Sequence, residues 1–533
     1  MEAIAGLIVQ RDFLNLTQTE LNELKDSAEP AAGLIGSTSG TLYRRSLYRV
    51  GPAIVAMARI PESEAAEPTV AGPAGAAGGP QRRLVVLSPE PIHLGFHGVS
   101  KKIGAVYAQE VLPTAFNIGP LWECFPWTKP VSLRNERTTI GMGDRIGLAT
   151  PGHVRAARKY VVAPVLAQQS IRELAFTGRA FADVVSDAAF LVFQEGYETG
   201  YGADGDHLKS IADIDQALAR SMPMTTLDLT DFMHPEIAGW SESRVDRAFA
   251  RLPSDFRSRV EREYQDQTLR VGQTNIAFDG ALAKRCATMY GDALAYGAEV
   301  NNHLERMTAG AFDLEISIDE TTTPTLPSHH LFIARELERR GVQVSSLAPR
   351  FVGKFEKGID YVGDLAEFET QFKIHAEIAR TAGGYKVSIH SGSDKFSAYP
   401  VIGRETKMRF HLKTAGTNWL ESLRTIAQTE PELYRLIHRR SFDYFPEATK
   451  SYVIGADLDA ITPLEDRSDT DLPAYLDENN CRQLLHISYG GLLRDPEVRE
   501  AYFRALHVHE DSHVANVERQ MDRHLETLGV DRR

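Results

Sequence analysis

The chain has 533 residues, 43% hydrophobic and 25% charged, the make-up of a soluble globular protein with one large domain and accessories. Its 72 acidic against 59 basic residues leave a net charge of −13, without the basic stripe that a nucleic-acid partner requires. No apolar run approaches the ~18 residues of a membrane-spanning helix, and MEAIAGLIVQRDF at the start has neither the basic lead-in nor the cleavage site of a signal peptide. Cys124, Cys286 and Cys481 are odd in number and far apart, which fits inert thiols in a reducing compartment better than a disulfide framework. A soluble, cytoplasmic protein is expected.

In chain order, a helix is predicted around 18–27 and strand-like character around 41–58. Residues 61–81, rich in Pro, Gly and Ala, read as a flexible linker, followed by a strand at 82–88. Residues 1–130 are taken as an accessory region of mixed α and β character. Beyond it, short apolar or alternating runs with polar ends recur at 138–149, 201–207, 225–231, 312–320, 344–351, 385–392, 408–416 and 451–457. Long helical segments separate them, for example 330–341 and 364–384. Eight strands alternating with helices predict a (β/α)8 TIM-like barrel over 131–490, with a C-terminal helical tail over 491–533. A doubly wound open sheet is the alternative. The long spacing between the third and fourth runs predicts a helical insertion there.

Barrel active sites form at the C-terminal ends of the strands. Those ends carry Asp144 and Arg145; Asp204, Asp206 and His207; Asp228 and Asp231; Glu315, Asp319 and Glu320; Arg350 and Lys354. His390 with Ser391, Ser393, Asp394 and Lys395 follows, then His411, Lys413 and Thr414. One such residue would be a helix cap or a satisfied core group; the cluster is the signal. Alternation places Glu315, Ser317 and Asp319 on one face of their strand, Ser388 and His390 on one face of theirs, and His411 and Lys413 likewise. With the apolar faces under the helices, these polar groups point into the barrel. Imidazoles mixed with carboxylates suit a catalytic divalent cation (zinc, manganese, nickel or cobalt), with His207, His390 and His411 as candidate ligands. Lys354, Lys395 and Lys413 are candidates to bind an anionic substrate, together with Asp144 and Arg145 in a glycine-rich stretch able to present backbone N–H groups. His375, on a helix face, is the weaker candidate.

His509-Glu510-Asp511-Ser512-His513 matches the HExxH zinc motif, but Arg519 stands where an extended form has its third ligand, and no ligand-bearing helix follows. A solvated terminal helix is the expectation for it.

The segments GDRIGLATPGH (143–153), GYGADGDHLK (200–209), EISIDETTTPT (315–325), FVGKFEKGIDYVGDL (351–365), VSIHSGSDKFSAYP (387–400) and HLKTAGTNWLESLR (411–424) resemble the metal-dependent tagaturonate/fructuronate epimerases. The resemblance runs from about Thr138 to His486, while TNW at 417–419 and the threonines of ETTTPT depart from the family pattern. It implies a divalent cation and interconversion of D-tagaturonate and D-fructuronate. It also implies roles for Asp206 and His207 as acid/base and ligand, for a carboxylate of EISIDE, and for His390 and His411.

The two ketouronates differ at a carbon β to the ketone, which enolisation cannot invert, so a retro-aldol route is expected. Asp206, Glu315 and Asp319 are the candidate catalytic carboxylates, with Lys395 or Lys413 anchoring the substrate carboxylate. The expected partner is a small sugar acid or ketose, and a homo-oligomer is left open. A ketose isomerase or aldolase with the same constellation is one alternative; a catalytically inactive sugar-binding barrel is another.

Overall fold

A computed structural model describes residues 1–26, 34–37, 40–61, 81–321, 323–450, 452 and 454–533. All but the ends of the expected linker at 61–81 lies outside the described residues. The N-terminal part holds a mainly sequential antiparallel sheet: β1 (Leu34–Ser37), β2 (Gly40–Tyr43), β3 (Tyr48–Val50), β4 (Ala53–Ile60), β5 (Gln81–Ser88), β6 (Gly98–Ile103) and β7 (Val106–Val111). The run AIVAMARI of β4 is apolar on both faces for a reason. Ile54, Ala56 and Ala58 pack with Ile4 and Ile8 of the first helix, Glu2–Gln10. Val55 and Met57 face the other way, toward Phe190 and Phe193 of a barrel helix, Phe181–Glu195. A sheet buried on both sides shows no alternation.

Eight parallel strands then close into a barrel, each pairing with the next in chain order and the last with the first. They are β8 (Thr138–Gly141), β9 (Ala163–Ser170), β10 (Gly202–Leu208), β11 (Met224–Asp228), β14 (Asp313–Ser317), β15 (Val344–Ala348), β16 (Lys386–Ile389) and β17 (Phe410–Lys413). The fold is thus the (β/α)8 barrel that the strand–helix rhythm predicted. Between β11 and β14 lies the expected insertion, which adds to its helices a hairpin of β12 (Gln267–Val271) and β13 (Thr274–Phe278) and ends in the long helix Gly280–Thr308.

One strand differs from the expectation. The second barrel strand is APVLAQQS at 163–170, which sequence reading passed over, and the run at 451–457 forms no strand at its described residues. The barrel is already closed by β17 pairing with β8, so no edge remains for another strand. Ile454 instead packs against the C-terminal helical core, and the Gly455 N–H donates to Glu356 Oε2.

The HExxH segment is only partly solvated: Asp511 and Ser512 are exposed, but Glu510 and His513 are buried. The helix Glu510–Leu528 packs along Thr150–Ala157, where a Cβ at Gly152 would stand 2.7 Å from Val517 Cβ. Glu510 is buried and accepts from Tyr43 Oη at 2.8 Å, with Arg82 Nη2 at 2.9 Å, joining the last helix to the N-terminal sheet. His513 is also buried, while His509 pairs with Glu430. The motif spans a packing junction. Among the described residues no helix is long and apolar enough to cross a membrane.

Candidate active site

The strand ends and the following loops enclose a cavity of about 420 Å³ at the C-terminal mouth of the barrel. Its floor is polar because alternate residues of the short strands point inward. Glu315 of β14 and Asp204 of β10 are fully buried. Lys413 of β17 reaches into both: its ammonium lies 2.6 Å from Asp206 Oδ1, 2.9 Å from Glu315 Oε1 and 3.1 Å from Asp204 Oδ2, and donates to Thr226 Oγ1 at 2.6 Å. Asp204 also accepts from Gln168 Nε2 at 3.0 Å and from Thr226. Glu315 accepts from Ser346 Oγ at 2.5 Å.

Three carboxylates around one ammonium do not titrate alike. Burial, with Asp206 and Glu315 nearby, raises the Asp204 carboxyl despite Lys413. Burial acts the same way on Asp206, but Lys413 and His207 outweigh it and hold that carboxyl well below its usual range. The Lys413 ammonium is stabilised far beyond an ordinary lysine, since its carboxylates overcome the cost of burial.

Above this floor two histidines face one another, with ring centroids 4.8 Å apart. His207 Nδ1 lies 2.8 Å from Asp206 Oδ1, and His390 Nε2 lies 2.7 Å from Glu315 Oε1. Each imidazole therefore spends one nitrogen on a carboxylate. Of the other nitrogens, Nε2 of His207 is buried without a hydrogen bond, while Nδ1 of His390 faces a second carboxylate, that of Asp319. Asp319 Oδ1 stands 3.0 Å from His390 Nδ1 and accepts from Ser317 Oγ at 2.7 Å. His207, Asp319 and His390 offer ligand atoms that all lie within 4.8 Å of one another. Two imidazole nitrogens and a carboxylate this close together, with each ring oriented from behind by another carboxylate, fit a divalent cation, which would take the place of the protons that these carboxylates otherwise hold on the rings.

The remaining expected residues separate. His411 lies deeper in the barrel, with Nδ1 2.9 Å from Thr139 Oγ1, and burial pushes its ring down to about 3; it does not join the other histidines. Glu315 sits behind His390 and does not line the cavity. Asp144 turns its carboxylate onto the backbone N–H groups of Ile146, Gly147, Ala149 and Thr150, bracing the turn into the next helix. Arg145 lines the cavity, paired with Glu173 and lying over the Tyr489 ring. Lys395 also lines it, but its ammonium is bound by three carbonyls, those of Glu356, Ile359 and Ser393. Lys354 is exposed and lies off the cavity, beside Glu356. His375 is buried elsewhere, its Nδ1 2.9 Å from His330 Nδ1.

Several cavity residues carried no sequence signal. Gln168 and Ser170 sit on the unrecognised β9, and Lys357 lies in the loop after β15. His486 comes from the helix Asn479–Ile487, beyond the barrel strands. For Lys357 the signals were the glycine beside it, which hinted at a turn, and its place in the family-like segment 351–365.

A closed parallel barrel with a charged mouth, a buried ammonium–carboxylate cage and a His–Asp group that could hold a cation defines the class: a barrel enzyme acting on a small polar molecule. The chain matches the family model described as UxaE, tagaturonate epimerase, over residues 84–528, and it belongs to that family. It is 42% identical over 412 residues to the tagaturonate/fructuronate epimerase of Thermotoga maritima, covering 77% of this chain and 85% of that protein. Its fold matches a glycerol-complexed crystal structure of the fructuronate-tagaturonate epimerase UxaE of Cohnella laeviribosi with a TM-score of 0.84 at 42% identity, over 92% of this chain and 96% of the other. The native crystal structure of that enzyme matches with a TM-score of 0.83 at 40% identity, over 96% and 99%.

Proposed function

We propose that the protein interconverts D-tagaturonate and D-fructuronate, with a divalent cation held by His207, Asp319 and His390. The observation that carries this reading is the pair of carboxylate-backed imidazoles facing one another at the mouth of a tagaturonate epimerase-family barrel. Two imidazoles and one carboxylate suit zinc, manganese, nickel or cobalt. When bound, the cation supplies Lewis acidity toward negative charge growing on the substrate's ketone oxygen.

The carbon to be inverted is β to the ketone, and its C–H is not acidified. Inversion therefore proceeds by retro-aldol cleavage. A base takes the proton of the β-hydroxyl, the bond between the α and β carbons breaks, and its electron pair passes into the ketone as an enolate. The β carbon becomes an aldehyde, turns, and is attacked on its opposite face, so the same bond re-forms and the new alkoxide takes back a proton. Asp206 is the base: it lines the cavity and is held ionised by Lys413 and His207. The proton that Asp206 takes is the one the new alkoxide takes back, and Asp228, its carboxylate held by the Thr230 N–H and hydroxyl, lines the same cavity. Glu315 orients His390, and Lys413 keeps the carboxylates of the floor together.

The test is to strip the protein with a chelator and follow D-fructuronate by NMR with Mn2+, Zn2+, Ni2+ or Co2+ restored singly. Metal-dependent appearance of tagaturonate is expected. Asp206→Asn is expected to lower kcat by about 10²- to 10⁴-fold with metal content retained. A stripped protein that turns over at the full rate would overturn the metal role, and a fully active Asp206→Asn would overturn the assigned base.

A further inference from the structure

Of the cations lining the cavity, Lys413, Arg145 and Lys209 pair with carboxylates and Lys395 is bound by carbonyls. The side chains of two have no hydrogen bond or ion pair with a described residue. Arg172 is exposed and lies over the Tyr452 ring. Lys357 is partly buried and lines the cavity. Burial lowers the Lys357 ammonium from its ordinary range, and Arg145 nearby adds to the effect, so an anion would relieve both.

The loop that carries Lys357 is clamped carbonyl by carbonyl. The Glu356 and Ile359 carbonyls accept from Lys395 Nζ at 2.9 and 2.5 Å, the Lys357 carbonyl from Gln483 Nε2 at 3.3 Å, and the Gly358 carbonyl from Arg482 Nε at 2.6 Å. Asp360 then accepts from the Ser397 N–H and hydroxyl. Gly358 turns with φ +78, a conformation that favours glycine, and a Cβ there would meet His486 at 3.3 Å. Four consecutive carbonyls are held by buried side chains, and the Glu356 carboxylate is held as well, while the Lys357 ammonium is left unpaired at the cavity. Such a frame presents a cation at little cost in ordering.

His486 completes that wall. Its Nε2 lies 3.4 Å from Arg145 Nη1, and burial among Arg145, Lys357 and Arg482 keeps the ring neutral. With Arg145 donating to Nε2, the ring proton resides on Nδ1.

We propose that Lys357, flanked by Arg145 and His486, receives the substrate carboxylate and thereby selects ketouronates over neutral ketoses. This rests on reading the cavity as a ketouronate epimerase site. Lys395 is then a positioning residue that holds the turn, and the candidate cation ligands and the carboxylate anchor line one cavity.

The test is calorimetric titration of the metal-loaded protein with D-gluconate, an open-chain carboxylate without a ketone, and with D-glucitol, the same carbon chain without the carboxylate. Gluconate is expected to bind more tightly than glucitol. Lys357→Met should weaken gluconate by about 10- to 100-fold, and Lys357→Arg should recover part of that loss. Equal affinity of the wild type for the two probes, or unchanged gluconate binding in a folded Lys357→Met variant, would overturn the assignment. No turnover is read in this titration. Failure of the wild type to convert fructuronate would therefore count against the proposed reaction alone, and the gluconate result would still decide the anchor.

Discussion

Asp394 shows how much of the site's precision rests on side chains that never reach the cavity. Its carboxylate accepts from Arg482 Nη2 at 2.9 Å and from Gln520 Nε2 at 2.6 Å, and its own N–H donates to His524 Nε2. Burial would raise this carboxyl, but Arg482 and His524 outweigh it and hold it low. The same Arg482 grips the Gly358 carbonyl, so Asp394 supports the turn of Lys357 through one intermediate. Asp394→Ala would leave a buried guanidinium without its carboxylate, and a loss of about 3–5 kcal/mol is expected. Denaturant unfolding of the two proteins under identical metal loading checks it; a change below about 1 kcal/mol, the range of an exposed pair, would show that the network carries little weight.

Among the elements, the C-terminal helix departs furthest from its sequence reading. A zinc motif and a solvated helix were the two readings open to HExxH, and the structure makes it a junction between the last helix, the N-terminal sheet and the barrel. Glu510 is matched to Arg82 and Tyr43, and burial with its charge partner leaves little room for any ligand role. Glu510→Ala is expected to lower the thermal unfolding midpoint, at a cost of about 3 kcal/mol for the uncompensated Arg82, with bound metal unchanged by elemental analysis. Loss of a stoichiometric metal ion in a folded His513→Ala variant would instead return the motif to the ligands.

Across the whole molecule, buried neutral histidines set the acid limit of the fold. Burial pushes His153, His329, His375 and His513 down to about 4 from an ordinary 6.5. His375 and His330 also share one proton between two Nδ1 atoms 2.9 Å apart, a bond that breaks when both are protonated. Since the folded values lie below the unfolded ones, this stability is fully present above pH 6.5 and is lost as pH falls from 6.5 through 4, by up to about 3 kcal/mol per histidine. The midpoint of chelator-treated protein, in which metal release plays no part, should fall steeply over that window. A flat midpoint between pH 7 and 4.5 would contradict the assignment.

The sequence by itself determined the barrel and most of its inward-facing chemistry. Period-two alternation in FDLEISIDE, KVSIHSG and RFHLKTAG already places Glu315, His390 and Lys413 inside, because a strand can bury an apolar face only by turning the other toward its neighbours. Asp319 was legible for the same reason, and Asp206 and His207 from their place at a strand end. The strand APVLAQQS was not, since its polar end faces a polar interior and leaves no apolar contrast. The tertiary structure alone decided which charges were already taken. It bound Lys413 to three carboxylates, Lys395 to three carbonyls and Asp144 to four backbone amides, and it left Lys357 free. The Asp144 turn is local, within six residues, but Lys413 and Lys395 find carboxylates and carbonyls tens to hundreds of residues away, and pairing at that range depends on how the chain packs, which no local pattern records.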